Sequence, residues 1–61
     1  MRTFDVTVKG TVHVVRANDF IRPRESLSRE WIFIDPDGEP LWTFAEADVT
    51  SVVEAVDHVK G

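Results

Sequence analysis

Cysteine is absent from this chain of 61 residues, which holds only two histidines and three glycines. Without thiols, no disulfide can staple the fold and no thiolate can hold a metal. His13 and His58 alone cannot make a structural zinc site. Gly10, Gly38 and Gly61 stand isolated, so no glycine-rich loop cradles a phosphate. No apolar run approaches the roughly 18 residues that span a bilayer, and the N-terminus carries no signal-peptide core. The expected setting is therefore cytoplasmic, without membrane contact, cofactor or metal.

What is present reads as one small globular domain over residues 1–61, with 43% hydrophobic residues and a net charge of −4. A chain of this size buries only about 60% of its unfolded surface, so its core is thin and oligomerisation is an expected source of stability. Charge is uneven: residues 1–30 hold six Lys/Arg against four Asp/Glu, while residues 31–61 hold seven Asp/Glu against Lys60 alone. Solvated carboxylates that keep a small domain soluble account for most of this. An acidic face for a basic partner is the weaker reading, because Asp35, Asp37 and Glu39 already belong to a turn.

The first strand is Thr3–Lys9, where Phe4, Val6 and Val8 alternate with polar residues. After Lys9-Gly10, a tight turn or a bulge in a longer bent strand, Thr11–Arg16 forms a second strand, with Val12 and Val14 expected on the core side and a bulge or bend near Val14-Val15. Residues 17–29 read as a long irregular loop bearing Arg22, Arg24 and Arg29, which makes them candidate partner contacts. From Asp48 to Val56 the valines fit an amphipathic helix, but five of the eight residues from Val49 to Val56 are β-branched. That richness favours a strand, with a helix over 48–59 as the alternative.

Between these segments, Trp31–Phe44 spells a hairpin around Asp35-Pro36-Asp37-Gly38. Pro36 pre-sets φ, Asp35 accepts backbone N–H groups, and Gly38 takes the left-handed conformation. A bulged three-residue loop pairs Phe33 with Leu41, Ile32 with Trp42 and Trp31 with Thr43. One face then carries Ile32, Ile34, Trp42 and Phe44, expected to join the core. The other carries Trp31, Phe33, Leu41 and Thr43, the candidate interface.

Catalytic chemistry is hard to assemble. His13 lies on the opposite side of its strand from Val12 and Val14, as a surface or edge histidine without nucleophile or orienting acid. Ser26, Ser28 and Ser51 lack a nucleophile-elbow context. Asp35-x-Asp37-Gly38 resembles part of a calcium loop, yet the first ligand position falls on Phe33 and the flanking helices are missing. No catalytic residue is assigned, and no enzyme activity is expected.

The expected fold is mainly β, a small curled antiparallel sheet whose five strands are enough for an SH3-like barrel. That likeness is one of architecture alone. The alternative is α+β, a four-stranded antiparallel sheet with a C-terminal helix at 48–59. The expected function is a non-enzymatic protein-interaction module that self-associates as a homodimer. A small phage-type inhibitor of a host protein would also fit size and acidity. A single-stranded nucleic-acid binder would stack bases on Trp31 and Phe33 and meet phosphates with the Arg22–Arg29 loop, but the negative net charge counts against it.

Overall fold

A computed structural model describes residues 1–55. His58 and the tail of the 48–59 segment lie outside the described residues. The strands are β1 (Arg2–Val8), β2 (Thr11–Ala17), β3 (Asp19–Ile21), β4 (Glu30–Ile34), β5 (Pro40–Ala45) and β6 (Val49–Ala55). Single 3-10 turns occupy Pro23–Glu25 and Glu46–Asp48. All pairings are antiparallel, in two three-stranded sheets ordered β2-β1-β6 and β3-β4-β5. The chain is thus mainly β, with two open sheets and neither closed into a barrel. Among the described residues no helix is long and apolar enough to cross a membrane.

The helix alternative at the C-terminal segment gives way over Val49–Ala55. These residues form β6, paired along β1 from Thr3↔Ala55 to Val8↔Val49. A segment rich in β-branched residues gains more on a pleated surface than on a helix, where χ1 is restricted. Six strands replace the expected five because Asp19–Ile21, placed in the irregular loop by sequence, pairs with β4.

Turn parity overturns the expected face of β2. Lys9 and Gly10 both have positive φ, at 50° and 83°, which is the two-residue turn whose twist suits a hairpin. Such a loop sets Val8 opposite Thr11, Val6 opposite His13 and Phe4 opposite Val15. Residues directly opposite share a face, so Val15 and Ala17 are buried while Val12 and Val14 stand 58% and 67% exposed. The pairing runs unbroken to Arg2↔Ala17, without the expected bulge at Val14-Val15.

The β4–β5 turn forms as its chemistry demands. Gly38 sits at φ 85°, and its N–H donates to the Asp35 carbonyl at 2.9 Å. The Asp35 carboxylate accepts the N–H groups of Asp37 and Glu39, each at 2.9 Å. Beyond the turn, however, the register slips between Phe33 and Ile34. Pro40 has no N–H for the ladder, and proline within a sheet belongs at bulges or edges. With Leu41 as the extra residue, Phe33 pairs with Trp42, Ile32 with Thr43 and Trp31 with Phe44. Trp31, Phe33, Trp42 and Phe44 therefore share one face, and Ile32, Ile34 and Thr43 share the other.

The two sheets meet through this aromatic face. Phe4, Val6, Val15, Ala17 and Phe33 form the buried core, flanked by Val8, Phe20, Trp31, Phe44, Val49 and Val52. Ile32 and Ile34 are only partly buried and Trp42 is exposed, contrary to the expected core list. Phe33→Ala should cost about 3–5 kcal/mol, comparable to the whole stability of so small a domain. Val14→Ala should stay within about 0.5 kcal/mol, because its side chain is already in solvent. Gly38→Ala should cost about 1 kcal/mol through its positive φ, its Cβ meeting open space. Urea melts followed by circular dichroism check all three, and the reverse order for Phe33 and Val14 would restore the face read from sequence.

Candidate functional site: a tryptophan groove between the sheets

One groove, of about 300 Å³, is lined by Arg22, Pro23, Arg24, Trp31, Glu46 and Val49. Each wall has a local cause. Pro23 enters the first 3-10 turn with its φ already fixed, and the Glu25 N–H donates to the Arg22 carbonyl at 2.9 Å. Pro23 is buried, so its exposed neighbours Arg22 and Arg24 are held on either side of an anchored residue. Trp31 comes from β4, half-buried, with its ring 5.7 Å from that of Phe20. Glu46 stands in the second 3-10 turn, closed when the Val49 N–H donates to the Glu46 carbonyl. That turn is tied to the β1–β2 turn, because the Lys9 N–H donates to the Asp48 carbonyl at 3.0 Å. Trp31 belongs to one sheet and Val49 to the other, so the groove crosses the seam between them.

Two residue sets picked out separately in the sequence are thus brought together: Trp31, and the arginine pair Arg22 and Arg24. Arg29 does not line the groove. It sits at φ 57° in a loop where the Ser26 hydroxyl oxygen accepts the N–H groups of Ser28 and Glu30 at 3.3 and 3.4 Å. The remaining candidate interface residues separate. Phe33 is fully buried in the core, Thr43 lies on the opposite face of the sheet, and Leu41 occupies the bulge. Phe20 packs its ring edge-on to Phe4 at 5.3 Å, while Leu27 stays wholly in solvent. Glu46 and Val49 were not singled out by sequence. Their signal was the short turn at Ala45–Asp48 leading back into the sheet, which brings its first residues beside β4.

Electrostatics divide the arginines into two groups. Arg2 donates to the Glu54 carboxylate at 2.9 and 3.0 Å and to Asp19 at 3.3 Å, with its guanidinium 5.1 Å from the centre of the Phe4 ring. It clasps β1 to β6 and to β3. Lys9 lies 3.9 Å from Asp48. Among the described residues, Arg22 and Arg24, like Arg16 and Arg29, have no carboxylate partner, and the Arg22 guanidinium lies over Phe20 with 5.8 Å to the ring centre. The groove lining therefore holds two arginines without a carboxylate partner among the described residues, together with one glutamate, Glu46.

His13 stands on β2 opposite Val6, exposed, with its ring 6.2 Å from that of Phe44. Among the described residues no cluster of three His, Asp or Glu side chains could hold a metal ion. Comparison with family models, with curated proteins and with solved structures finds no match to this chain.

The Arg2 clasp carries a pH dependence. The hydrogen bond from Arg2 holds the Glu54 carboxyl below its ordinary value of 4.5; desolvation is the next largest effect and opposes it, and the Arg2 charge adds a lesser lowering. A carboxyl lowered on folding stabilises the fold above its unfolded value and loses that contribution as pH falls through the lowered one. Urea melts from neutral pH to below 4.5 should show wild type losing more stability than Arg2→Gln. Equal losses in the two proteins would show that the ion pair contributes nothing in solution.

Proposed function

We propose that this chain is a non-enzymatic protein-interaction module whose contact surface is the groove of Arg22, Pro23, Arg24, Trp31, Glu46 and Val49. One observation carries the reading: a half-buried tryptophan lines one groove with two arginines and a glutamate, at the seam of the two sheets. Tryptophan and arginine are the residues on which interfaces most often concentrate binding energy. Three groove residues have exposed side chains, so the groove opens to an extended chain segment rather than enclosing a small molecule.

The fold reading that goes with it is an SH3-like barrel in which β2 and β3 form one bent strand. It is supported by the Asn18 N–H, which donates to the Ile34 carbonyl at 2.8 Å between the two strands and so carries pairing around the corner. A single 3-10 turn between β5 and β6 also fits a chain that must cross from one sheet to the other.

Self-association is a second reading, through a different surface from the one expected. The outer side of the β2-β1-β6 sheet sets Val14, Asp5 and Val53 in one row, beside Val12, Thr7 and Ser51. Val12, Val14 and Val53 are each more than half exposed. Light scattering with Val14→Glu as control tests it: a concentration-dependent dimer lost in the variant supports this seam, and a monomeric wild type removes it.

The groove reading has its own test. Peptides selected on the protein from a random dodecapeptide library should shift the backbone amide signals of Arg22, Arg24, Trp31, Glu46 and Val49 in nitrogen-15 NMR spectra. Shifts confined to Val12–Val14 or Val53 would move the contact surface to the outer sheet.

A further inference from the structure

Resting on that reading, we infer that the groove takes an extended acidic segment of a partner protein. An apolar side chain lies on the Trp31 indole, and an adjacent Asp or Glu carboxylate is held by Arg22 and Arg24. The arginine geometry carries the argument. The Arg22 guanidinium carbon lies 5.8 Å from the centre of the Phe20 ring, within cation–π range, and a guanidinium presents its N–H donors as a planar fork that suits a planar acceptor. A carboxylate matches that fork with two parallel hydrogen bonds. Arg24 stands two positions on, across a buried proline, so both guanidinium groups are displayed by a turn whose backbone is pinned.

Availability supports the same assignment. Among the described residues, the ion pairs of the chain are formed by Arg2 and Lys9, and the arginines of the groove enter none. Glu46 lines the same groove and Glu25 shares the turn of Arg24, yet neither forms an ion pair with these arginines. An incoming carboxylate would meet donors that no carboxylate among the described residues already pairs.

Charge also limits the ligand. Glu46 also lines the groove, and Glu25 follows Arg24 in the same turn. A segment with one carboxylate toward the arginines and its backbone N–H groups or a basic residue toward Glu46 fits this mixed lining. A phosphate backbone presents negative charge to every wall at once and needs a broad basic footprint, which a chain of net charge −4 lacks. The groove volume, at the lower end of ligand sites, seats a few side chains of a peptide.

The experiment compares the peptide library selection on wild type and on Arg24→Glu, followed by fluorescence anisotropy with the best labelled wild-type peptide. Enriched wild-type sequences should pair an apolar residue with Asp or Glu. Arg24→Glu should weaken the labelled peptide by at least about tenfold, most at low salt, and Arg24→Lys by only a few-fold. Arg16→Glu is the matched control: it makes the same charge change on an exposed β2 residue of the outer sheet face, outside the groove. It should leave affinity within about twofold, since exposed charges beyond a Debye length are screened. Circular dichroism melts confirm that each variant is folded. Enriched peptides without acidic residues, or equal losses in Arg16→Glu and Arg24→Glu, would overturn the acidic ligand while the groove remained a docking site. A labelled oligothymidylate that binds and loses affinity in Arg24→Glu would overturn it in favour of nucleic acid. Failure to enrich any peptide would remove both readings.

Discussion

The contact between Phe4 and Phe33 is the one on which the rest of the molecule depends. Their ring centres lie 5.4 Å apart, both side chains are fully buried, and they come from different sheets. Around them, the four phenylalanines and two tryptophans of the chain form one connected series. Phe20 meets Phe4, Phe33 and Trp31, while Phe33 meets Phe44, which stacks on Trp42 at 6.4 Å. Offset and edge-on aromatic pairs add directional attraction to the area they bury, which matters where the core holds few residues. The groove is a consequence of this packing. Trp31 reaches it through Phe20 from one sheet, and Val49 reaches it from the other, so separating the sheets would take the groove apart.

Charge is arranged around that core in a way the net value conceals. Three carboxylates of the acidic second half are committed to local structure: Asp35 builds a turn, Asp48 meets Lys9, and Glu54 holds Arg2. Arg2 covers Phe4 while pairing with β6 and β3, so one surface cation closes the end of the aromatic core. Such exposed pairs are individually weak and screened by salt. The clasp gains its importance from position, because it bridges the two sheets where Phe4 would otherwise meet water. Arg22 and Arg24 are left with the opposite role, as charges without a carboxylate partner among the described residues, displayed beside an aromatic ring.

Much of the fold was legible in the residues, and the errors have specific physical origins. Alternation in β1, the Asp35–Gly38 turn and the β-branched content of Val49–Ala55 each led to the observed element. The strand faces were misread at two turns. Lys9-Gly10 as a two-residue turn already fixes Val15, not Val14, opposite Phe4, so that face was available by parity. The slip after Pro40 was not available from turn chemistry alone, since it depends on how a residue without an N–H is accommodated in the ladder. It moved Trp42 and Phe44 onto the same side as Trp31 and Phe33, and with that the candidate interface of Trp31, Phe33, Leu41 and Thr43 came apart. The short strand Asp19–Ile21 was hidden by its length and by the turn-like Asn18-Asp19 before it. Arg22, Arg24 and Trp31 were legible as chemistry. Their convergence with Glu46 and Val49 was not, because it requires the second sheet.

The central claim is that one aromatic core makes the two sheets a single cooperative unit and thereby holds the groove across their seam. Native-state amide hydrogen exchange in increasing denaturant tests this most directly. The account predicts that the best-protected amides of β1 and β2, around Val6 and Val15, open with the same free energy and denaturant slope as those of β4, around Phe33. Opening of β3, β4 and β5 at a distinctly lower free energy, with the β2-β1-β6 sheet still protected, would contradict it.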